Sequence, residues 1–292
     1  MLTLFSIPKA FKGHTAVIQF NAIRSWLELK PSCQIILLGD DEGTAEMAAE
    51  LGVLHLPDVQ RSEAGTPLIS SIFALAQANA KYPLLCYVNA DIILLSDFLK
   101  AANRIPVRPL LMVGRRWDLD VTEPLDFTDK EWESKLRMRL EQSGRLHGIS
   151  GMDYFLYSSG LFDTIPPFAV GRTTWDTWLI YSARQQKTSI VDASNVVSIV
   201  HQNHDYGHVA GATDKVIKGP ESIKNWELGG NGRYVMTLEH ATHRLTQQTL
   251  KRNYRPRDLY FRLDAMSRLH PALGFLRWPI RLVAKLKGAF RS

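Results

Sequence analysis

The sequence has 292 residues, of which 45% are hydrophobic, and a formal net charge of +6. This length and composition exclude a disordered chain and predict one large α/β domain or two small ones.

The longest apolar runs are strand-sized, well short of the roughly 20 residues that a membrane-spanning helix needs. The N-terminus lacks a basic segment and reaches Pro8 too soon for a signal peptide. Two cysteines in no paired motif predict buried free thiols and, by default, a cytoplasmic protein.

Apolar runs alternate with helical patterns in the first part of the chain. Strands are predicted at Leu2–Ile7, Gln34–Leu38, Val53–Leu56 and Leu84–Val88, and helices near Thr15–Leu29, Thr44–Leu51 and Thr66–Ala80, the last with Pro67 in its first turn. This order predicts an open, mostly parallel sheet with helices on both faces. In such sheets ligands bind at the carboxyl ends of the strands.

Three polar clusters follow predicted strands, at Ser6–Lys9, Asp40–Asp41 and Asn89–Asp91. The sequence contains neither the glycine-rich dinucleotide motif nor the P-loop motif. A nucleotide bound at this edge would therefore be held by acidic side chains, backbone groups and a metal ion.

The second half of the chain is less regular. Strands are predicted at Leu110–Gly114, Tyr154–Tyr157 and Val196–Val200, and helices at Asp129–Gln142 and Trp175–Gln185. Residues 205–250 are rich in Gly, His and Asn, and Gly229–Gly232 is predicted to be a mobile loop.

Asp91 ends a strongly apolar strand. A carboxylate at this position either forms a turn or binds a hard divalent cation, which prefers oxygen ligands. A metal ion held there can bridge to a diphosphate and neutralise charge on a leaving group.

The stretch Leu84–Leu94 resembles the strand and D-x-D motif of GT-A glycosyltransferases, especially the inverting family 2. Five further segments resemble features of that family in the same order: Ser6–Pro8, Ile35–Asp41, Tyr154–Phe162 with Gly171, Trp175–Asp176 and Ser198–His201. The resemblance covers roughly residues 1–205. Asn89 stands in place of the first aspartate of D-x-D, and Trp175 in place of a glutamate.

The resemblance implies the roles of individual residues. Asp91 and His201 would bind Mn²⁺ or Mg²⁺, and Asn89 would offer a carbonyl oxygen nearby. The nucleotide would meet the first two polar clusters, with Asp40 or Asp41 at the uracil or ribose and Ser6, Pro8 and Lys9 at the base and phosphates. Alternatively, Asp40 and Asp41 only form the turn that follows the strand.

Asp176 would be the general base of an inverting transfer. We expect its place in the first turn of a helix to stabilise the anion; a helix N-cap is the alternative role. His204 and His208 follow His201 and raise the alternative of zinc, although no cysteine lies nearby.

The net charge is concentrated at the C-terminal end. Residues 255–292 contain nine Lys or Arg and two Asp, so the rest of the chain is close to neutral and predicts no nucleic-acid surface. From Leu273 onward, apolar residues recur at helical spacing beside basic ones. This segment is predicted either to lie on an anionic membrane surface or to pack on the core. The chain is thus divided into a catalytic domain (1–205), a mobile acceptor region (206–254) and a basic amphipathic tail (255–292).

These features predict a glycosyltransferase that uses a nucleotide-sugar donor, most simply a UDP-sugar, and a lipid-linked, saccharide or small-molecule acceptor. Two alternatives stay open. A nucleotidyltransferase would make the nucleotide sugar itself, although Phe5–Gly13 lacks the glycine-rich basic loop of that class. A non-catalytic basic adaptor would use only the tail and would leave the acidic motifs without a role.

Overall fold

The computed structural model describes residues 1–204 and 218–276. The strands are β1 (Leu2–Ser6), β2 (Gln34–Leu38), β3 (Leu54–Leu56), β4 (Leu84–Val88), β5 (Ile92–Ile93), β6 (Leu110–Val113), β7 (Arg116–Leu119), β8 (Arg145–Leu146), β9 (Tyr154–Ser158), β10 (Ser189–Asp192), β11 (Ile199–Gln202), β12 (His243–Leu245) and β13 (Leu250–Arg252). The α-helices are α1 (Gly13–Leu27), α2 (Thr44–Leu51), α3 (Ile69–Ala78), α4 (Asp97–Asn103), α5 (Trp132–Ser143), α6 (Trp175–Gln185), α7 (Pro220–Leu228) and α8 (Pro256–Leu269).

Within the described residues, nine strands form one sheet in the order β13-β12-β10-β6-β9-β4-β1-β2-β3. Pairing is parallel from β3 through β2 and β1 to β4, and again between β6, β10 and β12. Only β9, which lies between β4 and β6, and the edge strand β13 run antiparallel to their neighbours. The predicted open, mostly parallel sheet is confirmed.

Side chains that alternate along the strands build a core on each face of the sheet, as the period of two requires. Leu4 and Cys86 face one core, which the helices α1, α2 and α4 cover. Phe5 and Tyr87 face the other core, which α3 and α6 cover. Helices thus cover both faces, and the α/β architecture implied by the GT-A resemblance is confirmed.

A smaller sheet of the described strands, in the order β5-β11-β7-β8, stands beside the large one. Its strand β11 begins at Ile199 and includes His201, so the predicted strand Val196–Val200 was placed too early. His201 pairs in register with Ile92 on β5 and with Asp118 on β7. This sheet brings His201 next to the residues that follow β4.

Two other expectations need correction. Helix α3 begins at Ile69, and Pro67 precedes it in a bridge with Arg61 rather than in its first turn. Both cysteines are free, as predicted, but only Cys86 is fully buried, whereas Cys33 is half-buried.

The C-terminal part of the described chain joins the main fold. The strands β12 and β13 extend the large sheet, and Phe261 and Ala265 of α8 are buried. The beginning of the predicted tail therefore packs on the core, while most of the segment 273–292 lies outside the described residues. Helices formed by the described residues do not combine the length and the apolar character that a membrane crossing needs.

Candidate active site

Asp91 lies in the tight connection between β4 and β5. The Ile92 amide donates to the Asn89 carbonyl across 3.1 Å, and the Gln202 amide donates to the Asp91 carbonyl across 3.3 Å. The Gln202 side chain also donates to that carbonyl, at 3.2 Å. The backbone of Asp91 is therefore fixed from both sheets at the carboxyl end of β4, where ligands of such folds bind.

Two histidines face the Asp91 carboxylate. Its Oδ2 lies 3.6 Å from His201 Nε2 and 3.3 Å from His204 Nε2. Its Oδ1 is buried without a hydrogen-bond partner. The three potential ligand atoms lie within 4.8 Å of one another. The structure thus brings the two predicted metal residues together and adds His204.

This group of three fits a divalent cation. Burial raises the pKa of Asp91, but the two imidazoles outweigh burial and hold it well below its usual range, so the carboxylate is ionised. A buried carboxylate oxygen without a partner is costly unless a ligand satisfies it. One carboxylate with two imidazoles suits Mn²⁺ better than Mg²⁺, which prefers oxygen ligands alone. His208, named with His204 in the zinc alternative, lies outside the described residues.

Asp118 stands behind His201. Its Oδ1 lies 3.3 Å from His201 Nδ1, within ion-pair distance, although His201 Nδ1 makes no hydrogen bond. Asp118 is itself held by Arg116 Nε at 2.9 Å and by His147 Nδ1 at 2.8 Å. A carboxylate behind an imidazole orients the ring and leaves its other nitrogen for a metal ion. Asp118 is therefore the charged neighbour of His201 on the side of the ring away from Asp91.

Asp153 links Asn89 to Arg116. Its Oδ1 accepts from Asn89 Nδ2 at 2.7 Å, and its Oδ2 accepts from Arg116 Nη1 at 3.1 Å. Burial raises the pKa of Asp153, and Arg116 opposes that shift. Asn89 thus directs its amide nitrogen toward Asp153, next to the Asp91 cluster.

Asp176 lies in the first turn of α6, whose N-cap is Thr174. Because Thr174 occupies the N-cap position, Asp176 is not the N-cap, although its Oδ1 accepts from the Thr177 amide at 2.8 Å. Burial raises the pKa of Asp176 to about 6; the Thr177 amide opposes the shift and nearby Asp153 adds to it. Desolvation thus outweighs the stabilisation of the anion that was expected from the first turn of the helix. At pH 7 such a carboxylate is mostly ionised and is a stronger base than an ordinary aspartate.

The start of α6 is strained. Thr174 has φ 90°, a conformation that is rare for a β-branched residue and costs about 1–3 kcal/mol. The Thr174 carbonyl accepts from Thr177 Oγ1 at 2.8 Å and from the Trp178 amide at 2.9 Å, which holds the turn in place. Trp175 is buried against Tyr87. Trp175, which stands where the GT-A resemblance places a glutamate, is therefore part of the core.

A pocket of about 640 Å³ opens beside Asp176. Its lining combines Thr173 and Thr177 with the apolar side chains of Ile223, Trp226 and Val235. Because the pocket borders the candidate base, a molecule bound there can present a hydroxyl group to Asp176.

The residues predicted to bind the nucleotide lie at the ends of neighbouring strands. Asp40 follows β2 and forms an ion pair with Arg61, and Asp41 Oδ2 lies 3.5 Å from the same guanidinium. The hydrogen bond from Arg61 holds the pKa of Asp40 below its usual range. No pattern in the sequence indicates this arginine, which lies in the connection between β3 and α3.

The end of β1 is firmly held. Ser6 is buried, and its hydroxyl has no hydrogen-bond partner. The Lys9 amide donates to Gln19 Oε1 at 2.6 Å, and Gln19 donates back to the Lys9 carbonyl at 2.8 Å. Pro8 is buried and the Lys9 side chain is exposed. These residues lie between the ends of β2 and β4, which are two strand spacings, about 10 Å, apart.

No protein-family model matches the sequence, and a search of curated proteins finds no match. Solved structures of glucosyl-3-phosphoglycerate synthase from Mycobacterium tuberculosis are similar in fold. The complex with Mg²⁺ and UDP is 12% identical, covers 79% of each chain and has a TM-score of 0.46. The complex with phosphoglyceric acid is 13% identical, covers 79% of this chain and 80% of that one, and has a TM-score of 0.48. At this level of similarity, only the residues of the site itself can indicate the function.

Proposed function

We propose that this chain is a metal-dependent glycosyltransferase that moves a sugar from a UDP-sugar to a hydroxyl acceptor with inversion. The observation that carries the proposal is the cluster of Asp91, His201 and His204 at the carboxyl end of β4, with one buried carboxylate oxygen left without a partner. A separate carboxylate, Asp176, has a raised pKa and borders a pocket. A cation site and a base in different environments suit a reaction between an anionic donor and a neutral acceptor.

The donor is proposed to lie across the ends of β2, β1 and β4. Asp40 and Asp41 accept hydrogen bonds from the uracil or ribose, and Arg61 keeps both carboxylates in place. The exposed Lys9 side chain reaches the phosphates, whereas Pro8, which was also predicted to contact the base, is buried and offers it little surface. A bound Mn²⁺ or Mg²⁺ would neutralise charge on the departing diphosphate. Asp91, His201 and His204 are the residues that would hold this cation.

Asp176 is proposed to accept the proton of the acceptor hydroxyl. The pocket holds the acceptor next to this carboxylate, so that the oxygen can attack the anomeric carbon as the proton leaves. Direct attack by the acceptor gives inversion. Asp153, which is buried near both Asp91 and Asp176, links the cation site electrostatically to the base.

Thermal denaturation with UDP, GDP and CDP, each with and without Mn²⁺, tests the proposed donor. We expect UDP at about 100 times its Kd to raise the Tm by about 5 °C with Mn²⁺. GDP and CDP should have smaller effects, because their bases differ at Asp40 and Asp41. A UDP-induced increase in Tm that is equally large with and without Mn²⁺ would contradict the proposed metal dependence. Formation of pyrophosphate from UTP and a sugar 1-phosphate would instead indicate the nucleotidyltransferase alternative.

We also propose that the basic C-terminal segment holds this enzyme on the cytoplasmic face of a membrane. Residues 273–292 contain five Lys or Arg and no acidic residue, and each basic side chain near anionic lipid contributes about 1 kcal/mol. Deleting residues 273–292 should abolish co-sedimentation with anionic liposomes, and added salt should weaken binding of the full chain. The control is Mn²⁺-dependent UDP binding, which the deletion should not change. A full-length protein that does not co-sediment would rule out the membrane role.

A further inference from the structure

The pocket beside Asp176 has an aromatic wall. Trp226 on α7 is 46% exposed and its neighbour Ile223 is 54% exposed, although both line a concave site. Large apolar side chains that are exposed together in a pocket are typical of a binding surface, whereas a single exposed apolar side chain needs no such explanation. These two side chains therefore indicate a ligand with an apolar face.

Helix α7, which carries this wall, is fixed to the segment that precedes Asp176. Asn225 is buried; its Nδ2 donates to the carbonyls of Ala169 at 3.0 Å and Thr173 at 3.1 Å, and its Oδ1 accepts from the Ala169 amide at 2.9 Å. On the same helix, Glu221 forms an ion pair with Arg172 at 2.8 Å. These bonds fix the distance between the wall and the base, as a preorganised site requires.

The glycine-rich turn after α7 packs against the indole of Trp226. A Cβ atom on Gly232, where φ is +81°, would lie 2.5 Å from Trp226 Cη2, so the turn contacts the ring closely. The Asn231 amide donates to the Trp226 carbonyl at 2.9 Å. A side chain at Gly229 would collide with Thr174 at the start of α6. The predicted mobile loop is thus a tightly packed turn that links the indole to the helix of the base.

We infer that the acceptor is a saccharide, whose sugar ring stacks on Trp226 and presents a hydroxyl group to Asp176. The inference rests on the proposed function and names its acceptor class. One face of a pyranose is made of C–H groups and fits an indole, while Thr173 and Thr177 border the same pocket and can bind the ring hydroxyls.

The charges around the pocket favour a neutral ring over an anionic acceptor. Lys218 is the one basic side chain among the described residues that line it, and the Asp176 carboxylate faces the same space. A phosphorylated acid would meet repulsion from Asp176 with a single cation to offset it. The volume of about 640 Å³ lies within the usual range for small-molecule sites, about 300–1,000 Å³.

Saturation-transfer NMR on the full chain with UDP and Mg²⁺, which is diamagnetic and does not broaden the ligand signals as Mn²⁺ would, tests the inference, with methyl glycosides of common hexoses as probes. We expect binding of at least one glycoside. Trp226→Ala should weaken that binding at least about fivefold, and Trp226→Phe should weaken it less, because a phenyl ring keeps part of the stacking face. Tyr254→Ala is the matched control, because Tyr254 is 61% exposed and is absent from the described lining of the pocket.

Three outcomes would overturn the inference: no glycoside binds, Trp226→Ala binds as well as the unmodified chain, or transfer occurs only to phosphoglyceric acid, glycerol 3-phosphate or a sugar-free polyprenyl phosphate. Metal-dependent UDP binding is measured on the same samples. If metal-dependent UDP binding persists alongside any of these three outcomes, the proposed acceptor class is wrong and the glycosyltransferase proposal stands. If the unmodified chain shows no metal-dependent UDP binding, the proposed function itself fails.

Discussion

Replacing Asp91 with alanine should abolish Mn²⁺-dependent binding of UDP. The change removes the only carboxylate of the described cluster and leaves two imidazoles facing each other. Changing residues that merely support a metal ligand typically costs 10–100-fold in affinity, so loss of a ligand should cost about 100-fold or more. Calorimetry with UDP in the presence and absence of Mn²⁺ measures the effect. We expect UDP affinity in the variant to be the same with and without the metal.

The fold should survive this substitution, because within the described residues the ion pairs of the Asp91 side chain are with His201 and His204, and its other oxygen makes no hydrogen bond. Asp163→Ala, at an exposed carboxylate bonded to Gln77, is the matched control and should bind UDP normally. His204→Ala should reduce Mn²⁺-dependent affinity less than Asp91→Ala, since it leaves the charged ligand in place. Unchanged Mn²⁺-dependent affinity in Asp91→Ala would remove this residue from the metal site.

The strands and helices of the first half were predictable because their patterns are unambiguous. Gln34–Leu38 and Leu84–Val88 are short apolar runs bounded by polar or turn residues, and the structure has strands with the same bounds. The small sheet of β5, β7, β8 and β11 could not be predicted, since two of its strands have only two residues. Pairing across the fold, rather than local pattern, defines those strands.

The candidate site was predictable only where a residue stands in or beside a recognisable strand or helix. Asp91 and Asp176 stand beside recognisable elements, whereas Asp118 and Asp153 acquire their positions from contacts made across the fold. Asp118 meets His201, 83 positions later, through the pairing of β7 with β11. Asp153 directly precedes β9. This position next to a strand is the one local signal that could have indicated Asp153 as a site residue. Arg61 has no such signal, because it lies in an irregular connection.

Replacing Asp176 with asparagine should reduce the kcat of sugar transfer by about 10²-fold or more while leaving donor binding unchanged. Asparagine preserves the size of the side chain and retains an oxygen to accept from the Thr177 amide, so the first turn of α6 should persist. The amide, however, cannot accept the proton of an acceptor hydroxyl. Steady-state kinetics at saturating UDP-sugar and Mn²⁺, with calorimetry for UDP, separates the two effects.

The pH dependence of kcat distinguishes a base from a structural residue. Because burial raises the pKa of Asp176 to about 6, this carboxylate becomes protonated as the pH falls through 6, and transfer by the unmodified chain should fall with it. The Mn²⁺ concentration is kept saturating at every pH, since metal ligands must be deprotonated and metal affinity therefore depends on pH. In Asp176→Asn the residual transfer should lose the step near pH 6. Near-normal turnover in the variant, or an unchanged step, would leave Asp176 as a residue of the helix start and require another base for the reaction.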